Sequence, residues 1–286
     1  MTLVNLQPLR QLSRPLRRRP LTVPAASVRQ DTTVWTPSPL LKVSPAAESL
    51  FTITIDVSGS PELAASYTKA GQYLQLRPKV PDAKPSFLAI ASPPSFAASK
   101  GVFEFLVKSV AGSTAELLCG LQKGDVVELT PAMGKGFDLD QITPPENYQT
   151  VLKPDLELGQ EEDSFSRVIY STHSPIRSLI EAGFGADKRS DVRLYYGARN
   201  LNRMAYQERF KDWESSGVSI VPVLSQPDDS WTGEQGYVQA AFARDKGVFS
   251  PQSTGAVLCG QKQMAEEVTS VLVADGVSTE KILKNF

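Results

Sequence analysis

Between Thr52 and Phe137 polar and apolar residues alternate in short runs: FTITIDVSG, GQYLQLR, VFEFLVKSV and DVVELTPAM, with FLAIAS as an unbroken apolar run. A period of two sends successive side chains to opposite faces of a strand. Short strands of this kind at roughly regular spacing predict an antiparallel β-barrel or sandwich. GSTAELLCGL breaks the alternation as a helix, with Ser113 as N-cap and Glu116 three residues on completing a capping box.

From Tyr148 the period changes. Candidate strands, at 149–152 or 168–171 and then VRLYYGA, VSIVPVLS and AVLCG, alternate with the helical stretches SPIRSLIEAG, RMAYQERFKDWES, YVQAAFARD and QMAEEVTSVLVADG. In the first helix Ile176, Leu179 and Ile180 share a face, Pro175 suits the first position and Gly183 the stop. Strand–helix alternation implies βαβ units and a parallel sheet. The chain therefore reads as two domains: an antiparallel β-barrel over 35–145, then an α/β parallel-sheet domain over 148–286.

Composition narrows the classes. A length of 286 residues accommodates two domains, and 41% hydrophobic with 21% charged residues fits a globular soluble protein. No apolar stretch approaches the roughly 18 to 20 residues that span a bilayer. Cys119 and Cys259 are far apart and His173 is the single histidine, so neither a zinc site nor a disulfide framework is expected. A lone histidine in a loop reads as solvent-exposed rather than as a base or sensor.

Residues 1–30 stand apart. They hold Arg10, Arg14, Arg17, Arg18, Arg19 and Arg29, and no acid precedes Asp31. Arg-rich, acid-free sequence is the pattern of a transit peptide. Of the 30 basic residues six lie there, leaving 24 against 31 acidic ones, a balance that argues against nucleic acid as a partner.

Several phrases, KPSFLAIASPP (84–94), FEFLVKSVAGSTAELL (103–118), YYGARN (195–200), CGQKQM (259–264) and ILKNF (282–286), resemble the ferredoxin–NADP reductase superfamily, and especially its plastid, fruit-protein-type members. The resemblance runs from about residue 35 to the end, apart from 153–167. It implies an FAD-dependent oxidoreductase of the chloroplast stroma that exchanges a hydride with NADP(H). It places Cys259 and Ser92 at the hydride-transfer position. Cofactor contacts fall to Ala91, Ser92, Val107, Lys108, Gly112, Ser113, Thr114, Arg199, Gly260, Met264 and Phe286. The turn at 112–114 would seat the FAD pyrophosphate on free N–H groups at a helix start. By itself it reads first as a well-capped structural helix, and only the surrounding strands reverse that order. Arg199 would meet a ribose or its 2′-phosphate with a planar fork of donors, with Asn200 and Arg203 assisting. Phe286 would shield the flavin.

Two departures qualify this. Where the family has Arg-x-Tyr-Ser the chain has Ala89-Ile90-Ala91-Ser92, losing a charge for the pyrophosphate and a ring that packs on the cofactor. More reliance on backbone donors and on Lys108 follows. The second nucleotide site needs a glycine turn between the first strand and helix of the α/β domain. Here KPDLELGQEEDSFSR, with five acids within 153–163, is followed by VIYST and His173. Three readings stay open: a lost nucleotide site on a non-catalytic flavin-binding or interaction protein; weak NADP binding by Arg199 and the helix start at Ser174; or a splicing or gene-model error over 153–173. The electron acceptor is open as well. A ferredoxin would require a basic docking patch on a chain that is acidic beyond residue 30.

Overall fold

A computed structural model describes residues 33–81, 83–142, 149–154, 173–245, 248 and 250–284. The alternating half forms six strands: β1 (Thr36–Ala47), β2 (Leu50–Asp56), β3 (Tyr73–Pro78), β4 (Ser86–Ala89), β5 (Val102–Lys108) and β6 (Val126–Leu129). Three short helices, α1 (Pro61–Ser66), α2 (Pro94–Lys100) and α3 (Thr114–Cys119), lie between them. The antiparallel sheet runs β4-β3-β6-β1-β2-β5. Its two end strands meet where the Ala91 N–H donates to the Glu104 carbonyl at 2.7 Å, which makes a seam. Alternate residues fill the interior, among them Leu40, Ile53, Leu74, Phe103, Phe105 and Leu129. On β5, Phe103, Phe105 and Val107 face that core, while Leu106 belongs to a second cluster shared with the other half of the chain.

The second sheet is parallel throughout and runs β10-β9-β8-β7-β11-β12. Its strands are β7 (Gln149–Pro154), β8 (Asp191–Ala198), β9 (Ser219–Leu224), β10 (Glu234–Gln235), β11 (Thr254–Cys259) and β12 (Ile282–Lys284). The helices are α4 (Ser174–Glu181), α5 (Phe210–Ser215), α6 (Val238–Arg244) and α7 (Lys262–Ala274). Apolar residues of α4 and α5 pack on one face with Val257 and Cys259 of β11, and those of α6 and α7 on the other with Ala256 and Leu258. Strand order turns back between β7 and β11. In open α/β sheets the crevice beyond the strand ends at such a reversal is where ligands bind.

The strand at 149–152 is the central one, and the alternative at 168–171 lies outside the described residues. RMAYQERFKDWES is α-helical only from Phe210, with a 3-10 turn at Gln207–Arg209 before it, because Tyr206 takes a left-handed φ of 63° that a continuous helix excludes. Gly255 lets β11 approach the end of the barrel half: a Cβ there would lie 2.4 Å from Ile142 Cγ2. Residues 1–30 and Phe286 also lie outside the described residues.

Candidate active site

Ser92 follows β4 at the seam and is wholly buried. Its Oγ accepts the Glu104 N–H at 3.1 Å, so a side-chain oxygen extends the ladder where a backbone carbonyl would normally stand. Its carbonyl accepts from the Tyr67 hydroxyl at 2.9 Å, and Tyr67 Oη lies 2.5 Å from Ser178 Oγ on α4. The Tyr67 ring meets Phe103 edge-on at 5.7 Å. Burial pushes the Tyr67 phenol well above its ordinary pKa, with the Ser178 hydrogen bond and Arg177 opposing. The phenol is therefore a fixed donor and not an acid at neutral pH.

The same helix grips Glu104 a second time. Arg177 is 2% exposed and sets Nη2 2.5 Å from Glu104 Oε2 and Nε 3.2 Å from Glu181 Oε1. Its guanidinium sits 5.0 Å from the Tyr206 ring centre. Glu181 also meets Arg209 at 3.4 Å and the Trp213 indole N–H at 3.3 Å. Burial works against charge on Arg177, but Tyr206, Glu181 and Glu104 together raise its pKa. Such a group is costly to bury alone and stays charged because two half-buried carboxylates are held against it. Every residue of α4 from Ser174 to Ile180 is buried, so the helix is wedged between the seam and the parallel sheet.

His173 caps this helix and is buried, contrary to the exposed position expected of it. Its ring lies 4.4 Å from that of Tyr196 and it hydrogen-bonds the backbone of Gly197. Burial lowers its pKa to about 3, so it is neutral at physiological pH.

Cys259 ends β11, buried, with its backbone in register with Pro154 at the end of β7. It therefore stands at the strand-order reversal. Gly260 follows it. Met264 does not join it: its side chain packs with Tyr195, Phe242 and Leu258 on the opposite face of the sheet, because one turn into α7 the side chain points at α6. Arg199 is exposed just past β8. Arg203 is engaged by Glu48 of the barrel half at 2.6 Å, and Asn200 accepts the Arg203 N–H at 3.1 Å, so neither is idle.

On the barrel half, Ala91 is buried beside Ser92, and Lys108 is half-buried at the end of β5. The Val107 side chain points into the barrel core, so a contact from it would come through the backbone; Leu106 is the side chain on the shared face. The capping box at 113–116 forms, and it takes up the Gly112 and Glu116 N–H donors of the turn. The Glu116 carboxylate accepts the Gly112 N–H at 2.7 Å, and Ser113 Oγ accepts the Glu116 N–H at 3.4 Å. Thr114 Oγ1 donates to the Lys84 carbonyl at 2.8 Å.

Tyr67, Glu104, Arg177 and Ser178 are the residues that sequence reasoning missed. Glu104 carried a faint signal, as the polar member of VFEFLV on the face away from the barrel core. Among the described residues no cluster of acids, histidines or cysteines could hold a metal ion, and no helix is long and apolar enough to cross a membrane.

Comparison with known proteins agrees with this geometry. A family model described as an oxidoreductase NAD-binding domain matches residues 171–270. The match begins beyond the acidic run, two residues before His173. A fruit protein of Actinidia deliciosa is 52% identical over 264 residues, covering 90% of this chain and 78% of its own. The electron transfer component of a xylene/toluene monooxygenase from Pseudomonas putida is 28% identical, over 38% of this chain and 32% of its own. Among solved structures, a ferredoxin NADP+ reductase of Neisseria gonorrhoeae with bound FAD and NADP superposes with a TM-score of 0.67 at 17% identity. The match covers 88% of this chain and 99% of that one. The cytochrome b5 reductase domain of Ulva prolifera nitrate reductase gives 0.65 at 16% identity over 88% and 97%.

Proposed function

This chain belongs to the ferredoxin–NADP reductase-like flavoprotein oxidoreductases, and on that premise we propose that it exchanges a hydride between NADP(H) and FAD for an acceptor still to be found. We assign FAD to the barrel half, 35–145, and the nicotinamide nucleotide to 148–286. Residues 1–30 would direct the chain to the chloroplast stroma.

The observation that carries this reading is the state of Ser92. Its Oγ already accepts one hydrogen bond, and among the described residues no acceptor receives its own O–H. A buried donor left over in this way fits a group that brings an acceptor to the seam. When bound, the flavin supplies the two-electron chemistry, taking up a hydride from the nicotinamide.

The chain's own residues do the rest. Ser92 donates to the bound ring edge, and the buried seam keeps water from it. Ala91 presents backbone without the bulk of the family's tyrosine. Lys108 and the turn Gly112, Ser113 and Thr114 hold the phosphates, after Glu116 releases the Gly112 N–H. At the reversal in strand order, Cys259 and Gly260 border the nicotinamide. Arg199 offers its exposed guanidinium to the ribose phosphate, which favours NADP over NAD. Phe286 would cover the flavin face.

A specific observation supports a second reading, a flavin-binding protein with a degenerate nucleotide site. The sequence between β7 and α4 lacks a glycine turn and carries five acids within 153–163, which would repel a pyrophosphate. Anaerobic absorbance of the chain lacking residues 1–30, before and after NADPH, separates the two. Bleaching of the flavin band establishes the reductase. A band that persists leaves the second reading. No flavin uptake at all sinks both.

A further inference from the structure

The contacts around Ser92 carry more than a place for a cofactor. A phenol has a single hydrogen, and that of Tyr67 is directed to the Ser92 carbonyl at 2.9 Å. The 2.5 Å contact between Tyr67 Oη and Ser178 Oγ must then be donated by Ser178. The chain has a direction: Ser178 O–H to Tyr67 Oη, Tyr67 O–H to the Ser92 carbonyl. On the other strand of the seam the Glu104 N–H fixes Ser92 Oγ, and the Glu104 carboxylate is held by Arg177. Consecutive residues of α4 thus grip both strands, one through Tyr67 and the other through Glu104. With one bond already accepted at Oγ and one at the carbonyl, the O–H is the side-chain donor that Ser92 keeps.

We propose that Tyr67 and Ser178 are positioning residues for Ser92, through which helix α4 of the nucleotide half sets the aim of the Ser92 hydroxyl in the barrel half. The inference rests on the hydride-transfer reading above. A satisfied buried polar pair adds little net stability over an apolar pair of the same shape. What the polar pair adds is direction, since a phenol that donates to one carbonyl admits one backbone orientation at residue 92. The arrangement also makes the aim depend on the seating of α4, whose first turn borders the nucleotide crevice.

The test uses the FAD-loaded full chain and its variants Tyr67→Phe, Ser178→Ala, Ser178→Thr and Ser92→Ala, alone and in pairs. Anaerobic stopped-flow reduction by saturating NADPH gives the transfer rate, normalised to bound flavin. Amide hydrogen exchange at Ala91 and Glu104 reads the seam independently of turnover. Tyr67→Phe is expected to slow flavin reduction about tenfold, as small misplacements at a reacting centre do. Ser178→Ala should slow it about threefold, for the loss of one neutral hydrogen bond, and Ser178→Thr should restore it. Exchange at Glu104 should quicken in Tyr67→Phe. In a Ser92→Ala background Tyr67→Phe should add nothing, because its effect runs through Ser92. Full additivity there, or wild-type reduction and exchange in Tyr67→Phe, overturns the proposal while leaving the reductase intact. A wild-type flavin that NADPH does not bleach overturns the reaction and this role with it; quickened exchange would then mark a structural hold alone.

Discussion

The two ends of the proposed flavin site are built in opposite ways. At the seam, Ala91 and Ser92 are wholly buried and every hold on Ser92 comes from elsewhere in the chain: Tyr67, Glu104 and, behind them, Arg177 and Ser178. At the start of α3, Gly112 and Glu116 are exposed, and their hydrogen bonds are made to neighbours within five residues. Tertiary packing preorganises the reactive end. The phosphate end is locally closed and exchangeable, with an internal carboxylate standing where an anion would be received. Preorganised donors lower barriers, whereas an end that only anchors tolerates rearrangement on binding.

The largest effect should come from breaking the tertiary end. Arg177→Leu leaves the Glu104 and Glu181 carboxylates without their buried cation and is expected to cost about 3–5 kcal/mol of stability. Denaturant unfolding measures it. A loss below about 1 kcal/mol, the range of exposed pairs, would place the network on the surface and erase the contrast.

Acid should act on the same end. The folded pKa of His173 lies near 3, below the 6.5 of an unfolded histidine. Between these values the unfolded chain binds the extra proton, so stability falls as pH drops below about 6.5, by at most about 1.4 kcal/mol per unit. Thermal unfolding from pH 7 to 4 checks the slope, and His173→Phe should flatten it. An unchanged slope in that variant would assign the acid sensitivity to other groups.

The smallest effect belongs to the local end. Glu116→Gln removes a negative charge from the helix start while keeping a hydrogen-bond acceptor. FAD affinity, by fluorescence titration, is expected to rise about threefold, within the usual range for a charge at a helix terminus. Weaker binding would mean that the carboxylate organises the turn for the phosphate instead of competing with it.

The same contrast explains what could be read from the chain alone. The capping box of Ser113 and Glu116 spans four residues, and its contacts are dictated by that spacing; sequence and structure coincide. The two architectures were equally plain, since a change of period from two to 3.6 needs no tertiary knowledge. Glu104 could be placed on the outward face of β5, but nothing local says that a helix 73 residues later covers that face. His173 departs from its expected place for the same reason: a polar loop residue is exposed unless another element buries it, and Tyr196 does. Met264 and Val107 show the limit of matching motifs by position, for the side chains of both turn away from the shared face into cores of their own.

A helix that buries all of its first seven residues has a consequence for how the chain comes to be folded. Synthesis completes the barrel before α4 appears, and on the barrel half alone Glu104 lacks Arg177 and Tyr67 lacks Ser178. The seam stays unlatched until the second half arrives, because the pairing of residues 104 and 177 is long-range and closes late. The emerging barrel is therefore a template on which α4 docks, and the helix in turn is the element that finishes it.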